Sequence, residues 1–177
     1  MLKNRNPNIL KKISKDLYYE VSHLIELFVL LTHEERNEII RHALLESLLI
    51  HARNIFYFLY ESNPKPDDVV IEDYIPKSNM WNNFKVEELK KAFYKDFRFR
   101  VGKEIAHLTY NRLEKTEENK YWNLSFVIGL LEGIEKFIEL VPSELLHDDW
   151  GKYQILKDKI SHKKSSIDLL KYAYSTH

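Results

Sequence analysis

The sequence predicts an all-α fold: an up-down four-helix bundle with a long packed loop between its second and third helices and a helical C-terminal extension. Three observations lead there. The 177 residues hold only 4 Gly and 5 Pro, too little punctuation for a sheet protein with many turns. Apolar residues recur at steps of three and four along four long stretches, the period of a helix with one buried face. A composition 44% hydrophobic and 31% charged is that of ordinary globular chain, and a chain of this size buries enough apolar surface to fold as one unit. A single domain over 1–177 is expected, with its core at about 7–142 and the extension at about 143–177.

Asn6 before Pro7 reads as a helix start, a capping side chain followed by a proline where its missing donor costs nothing. The first helix should run to about Leu31, with Ile13, Leu17, Val21, Leu24, Ile25, Phe28 and Leu31 on one stripe. Thr32 and Glu35 have capping-box spacing, which predicts a second helix from there to about Glu61. Its interior, Ala43 to Tyr60, is apolar around most of its circumference and belongs at the centre of the bundle. Ser62-Asn-Pro-Lys-Pro66 ends it. The stretch from Asn63 to about Phe84 is long for a connection, but Val69, Val70, Ile71, Tyr74, Ile75, Met80 and Trp81 predict a loop packed by its own side chains.

The third helix is expected from about Lys85 to Lys115, with Leu89, Phe93, Phe97, Val101, Ile105, Leu108 and Leu113 inward. Glu114 to Lys120 is polar enough to turn. The fourth, from about Tyr121 to Val141, carries the stripe Leu124, Val127, Ile128, Leu131, Ile134, Phe137, Ile138 and Val141. Pro142 and Ser143 close it. Two weaker amphipathic pieces, Lys152 to Ile160 and Ser166 to Tyr174, are expected to pack back on the bundle or reach a partner.

The chain has no cysteine, which excludes disulfides, thiolate metal sites and cysteine nucleophiles. The first residues lack a signal-peptide apolar core and the run Leu24 to Leu31 is too short to span a bilayer; a cytoplasmic protein without a membrane partner is expected. Basic and acidic residues number 27 each, so net charge makes no case for nucleic acid. Their distribution is uneven. Between Lys85 and Arg112 eight basic residues face four acidic ones, and between Glu114 and Asp149 nine acids face three lysines. A neutral chain can thus carry one basic face.

The constellation with most chemistry is Arg100-Val-Gly-Lys-Glu-Ile-Ala-His107. On a helix this spacing brings Arg100 and His107 onto one face about two turns apart, with Lys103 and Glu104 between them. A guanidinium forks onto phosphate oxygens and an imidazole exchanges a proton near neutrality, the two abilities that RNA cleavage by an internal 2′-hydroxyl requires without a metal. The Arg-x(4 to 6)-His pattern on a late helix of a small bundle resembles the HEPN superfamily. That resemblance implies a four-helix core over about 7–142, with Arg100 and His107 matching the motif. It also implies metal-independent endoribonuclease chemistry in a homodimer whose two motifs meet across a cleft. RNA as substrate, no cofactor, and a role in toxin-antitoxin or antiphage defence beside a cognate antitoxin-like protein follow from it.

Other patterns keep alternatives open. Arg36-Asn-Glu-Ile-Ile-Arg-His42 is a second match, although its two ends diverge by about a third of a turn. Glu46, His51, Arg53 and Asn54 form a polar line on the apolar second helix, expected either to pair within the bundle or to face the third helix beside Tyr110 and complete its site. Glu-x-x-His occurs at Glu20–His23, Glu104–His107 and Glu144–His147, and two such pairs with Glu46 and Glu132 or Glu135 would build a di-iron or di-manganese centre. A HEPN-like bundle that binds a partner without catalysis is the main alternative to the nuclease.

Overall fold

A computed structural model describes residues 6–32, 37–76, 78–89, 91, 97–101, 121–161 and 171–173. It is an all-α helical bundle. Helix α1 spans Pro7–Thr32, α2 Glu38–Tyr60, α3 Asn79–Leu89, α4 Phe97–Arg100, α5 Ser125–Leu140 and α6 Tyr153–Ser161. Helix α1 packs along α2, α2 against α5, α5 against α3, and α6 back on α1. Among the described residues no helix is long and apolar enough to cross a membrane.

The start of α1 is the expected one, with the Asn6 side chain accepting from the Asn8 amide at 2.9 Å. Its stripe Leu17, Val21, Leu24, Ile25, Phe28 and Leu31 is buried. The start of α2 differs. Thr32 belongs to the last turn of α1, where its hydroxyl donates to the Val29 carbonyl, and the cap is Asn37, whose side chain accepts from the Ile39 and Ile40 amides. An amide side chain in extended backbone here satisfies two orphan donors at once. Helix α2 is central, as its composition predicts, burying Leu45, Leu48, Leu49, Ala52, Ile55, Phe56, Phe58, Leu59 and Tyr60.

At the far end of α2, α5 comes unusually near. A Cβ on Gly133 would lie 2.7 Å from both Leu59 Cδ1 and Tyr60 Oη, so hydrogen is the only side chain this crossing accommodates without movement. The connection after α2 is packed by its own residues, with Val70, Ile71, Tyr74 and Ile75 buried and the Tyr74 hydroxyl donating to the Leu10 carbonyl at 2.8 Å. Met80 and Trp81, expected in that loop, lie on α3; Trp81 is buried and stacks on Tyr60, whereas Met80 is exposed.

The single third helix expected from Lys85 to Lys115 is broken. Helix α3 ends at Leu89 and the chain bends at Lys91 before α4. The Lys91 ammonium bonds Glu88 at 2.9 Å and Glu132 of α5 at 2.8 Å, pinning the end of α3 to α5. Burial draws that ammonium down, but the Glu132 and Glu88 carboxylates more than offset it and hold it above its ordinary value. Leu89, expected inward, is exposed, while Phe97 and Val101 are buried as expected. Phe93, Ile105, Leu108 and Leu113 lie outside the described residues.

The fourth predicted helix begins late. Tyr121–Asn123 is a short strand, β1, paired antiparallel with β2, Lys171–Ala173, with Trp122 opposite Tyr172. The expected helix through Ser166 to Tyr174 is therefore strand where it is described. From Leu124 onward the stripe is buried or half-buried as predicted. The other C-terminal piece does pack on the bundle. Trp150, Tyr153 and Ile160 are buried, the Trp150 indole donates to the Ser14 carbonyl at 2.9 Å, and the His147 amide donates to the Ser14 hydroxyl at 2.7 Å. Lys159 pairs with Glu26 of α1.

Candidate functional site

Helix α2 packs along α1, and Glu20 and His51, both near mid-helix, face each other. The Glu20 carboxylate accepts from His51 Nδ1 at 2.7 Å and from the Asn54 amide nitrogen at 3.1 Å. Beside them His23 Nδ1 lies 3.0 Å from the Tyr19 carbonyl oxygen. The His23 and His51 rings are 5.3 Å apart between centroids at 35°, with Tyr19 against both, 3.9 Å from His23 and 5.9 Å from His51. One patch at the α1–α2 seam thus collects two imidazoles, a carboxylate, an amide and a phenol.

Of the two expectations for the polar line on α2, His51 and Asn54 meet the first, pairing within the bundle through the Glu20 carboxylate of α1. Arg53 points elsewhere, its guanidinium 5.3 Å from the centroid of the Tyr57 ring one turn on. Arg53, Asn54, Tyr57, Glu61, Asn63 and Lys65 line an open cleft of roughly 610 Å³ with Asp68 on its wall. Two cations and two carboxylates share that cleft, which leaves it no bias toward a phosphate. Glu46 is exposed.

Of the expected nuclease pair, Arg100 closes α4. It is half-buried, and its guanidinium carbon sits 4.1 Å above the centre of the buried Trp122 ring. A cation held this close over a ring face is attracted by the ring quadrupole. The side chain is thereby oriented before any ligand arrives. His107, Lys103, Glu104 and Tyr110 lie outside the described residues. So does Arg36 of the second match; His42 is half-buried in the first turn of α2.

Among the described residues, the carboxylates offered for a core dinuclear centre are engaged apart from one another; Glu104 and His107 lie outside those residues. Glu20 is engaged by His51 at the surface seam, Glu132 pairs with Lys91 and Glu135 with Lys157. His147 is part of a turn, its Nδ1 accepting from the Asp149 amide. Among the described residues no group of three or more His, Asp or Glu side chains could hold an ion. The sequence singles out His51 and Asn54 on α2 and Glu20 only as a metal-ligand candidate on α1, not as the carboxylate that joins them. Its one signal was Glu20 three residues before His23, which places both on one side of α1. Trp122 beneath Arg100 had no local signal. No family model, curated protein or solved structure matches the chain.

Proposed function

We propose that this chain is a HEPN-like, RNA-directed protein of the cytoplasm that acts as a homodimer and cleaves RNA without a metal. In this reading Arg100 grips a phosphate and His107 exchanges the proton. The observation that carries it is the guanidinium of Arg100 held at 4.1 Å over Trp122 and half-exposed at the end of α4. A phosphate-binding arginine works best when its rotamers are already restricted, since less freedom is lost on binding. The basic excess in the sequence between Lys85 and Arg112 is charge of the right sign for an RNA backbone. A defence role beside a cognate antitoxin-like protein belongs to the same reading.

The test is RNA incubated with the purified protein in chelator, beside Arg100→Ala and His107→Ala variants. Cleavage by the wild type that falls at least ~100-fold in each variant is expected for a phosphate clamp and an acid–base group; equal cleavage by all three removes the assignment. RNA binding without cleavage, weakened by Arg100→Ala alone, would make the bundle a binding module. Sizing in solution should give a dimer.

A further inference from the structure

Two imidazoles, His23 and His51, meet at the α1–α2 seam with their ring centroids 5.3 Å apart. A backbone carbonyl only accepts, so at 3.0 Å from the Tyr19 oxygen His23 Nδ1 must carry the proton. The carboxylate of Glu20 requires the same of His51 Nδ1 at 2.7 Å. In the neutral form each ring therefore presents an Nε2 lone pair, and among the described residues neither Nε2 has a hydrogen-bond partner. A proton of Nδ1 held by a carbonyl or carboxylate is the outer support that metal-binding histidines use to fix ring orientation and raise basicity.

The spacing fits as well. With a metal–nitrogen distance of about 2 Å, two rings on one tetrahedral ion have centroids about 5 Å apart, and these lie at 5.3 Å. His23 is exposed and His51 half-buried, so water can complete the coordination shell. We infer that His23 and His51, supported by Tyr19 and Glu20, form a surface site for one borderline-soft divalent cation, Zn²⁺ by chemical class, which clamps α1 to α2. Because only two side chains ligate it, the ion exchanges with solution. The site is separate from Arg100 and does not depend on the nuclease reading.

Zinc titration by calorimetry on the full chain tests it, beside His23→Gln, His51→Gln and Glu20→Gln. One ion per chain is expected, with affinity at least ~10-fold weaker in each variant, Glu20→Gln included because it removes only the supporting acceptor. Zinc should also raise the melting temperature of the wild type and not of His23→Gln, a substitution at an exposed position that the fold tolerates. Copper(II) electron paramagnetic resonance on the wild type gives an independent readout in which two equivalent nitrogens are expected. No zinc binding, binding indifferent to His23 and His51, or a copper signal with fewer than two imidazole nitrogens would each overturn the site.

Discussion

Replacing Gly133 by alanine sets two effects of opposite sign against each other. Gly133 lies within α5, and alanine there should gain about 1 kcal/mol from helix propensity. The new methyl would stand 2.7 Å from Leu59 Cδ1 and 2.7 Å from Tyr60 Oη, where ordinary carbon contacts lie at about 3.5 to 4 Å. Relief requires a shift of about 1 Å in side chains that are 0% and 4% exposed, and overpacking of this kind costs about 1 to 3 kcal/mol. The packing term should win, leaving Gly133→Ala about 1 kcal/mol less stable than the wild type. Valine adds two methyls to the same gap and recovers less propensity, so Gly133→Val should lose about 3 kcal/mol or more. Urea unfolding followed by circular dichroism at constant m-value measures both, and about 1 kcal/mol in a chain of this length moves the melting temperature by about 2 to 4 °C. A stabilised Gly133→Ala would show that α5 and α2 are not in contact there.

Three other outcomes follow from the same geometry. Asn37→Ala should cost about 1 kcal/mol and Asn37→Asp much less, because a carboxylate can still accept from the Ile39 and Ile40 amides; urea midpoints decide, and equal losses would remove the cap. Ser14→Ala strips the acceptor from the His147 amide, costing about 1 to 3 kcal/mol, and hydrogen exchange should speed up first around Trp150; uniform acceleration would contradict that local attachment. Burial, with help from the Glu135 charge, pushes the Tyr153 phenol well above its ordinary value. The unfolded phenol ionises near pH ~10 while the folded one keeps its proton, so the unfolded chain binds fewer protons above that pH and stability falls as pH rises through it. Tyr153→Phe should flatten this alkaline decline between about pH 9.5 and 11 and leave neutral stability equal or higher, since the buried hydroxyl has no hydrogen-bond partner among the described residues; an unchanged slope would refute it.

Periodicity made α1, α2 and most of α5 legible, because one face of each is buried against a neighbour and the 3.6-residue pattern records that. It failed where a neighbour in space decided. Thr32 and Glu35 have the spacing of a capping box, yet the Thr32 hydroxyl turns back to Val29 and Asn37 caps instead. The stripe of α5 invited extension back to Tyr121, but that segment pairs with residues some fifty positions further on, and no local window contains its partner. The break after α3 depends on Glu132 reaching Lys91 from another helix. At the seam, spacing along α2 put His51 and Asn54 near one another but could not say which neighbour they meet, because the rotation of α2 about its axis is set by its whole buried circumference.

The fastening of residues 147–150 to Ser14 has a consequence for biosynthesis. A chain emerging from the ribosome exposes α1 long before the residues that cover its outer side exist, and these contacts span 133 and 136 positions. At about 5 to 20 residues per second the delay is about 7 to 27 s. Through that interval the patch around Ser14 is open to water and to other nascent chains. Co-translational helpers that shield apolar segments would find their target here, and a chain truncated before Trp150 should accumulate as aggregate rather than as a shorter bundle.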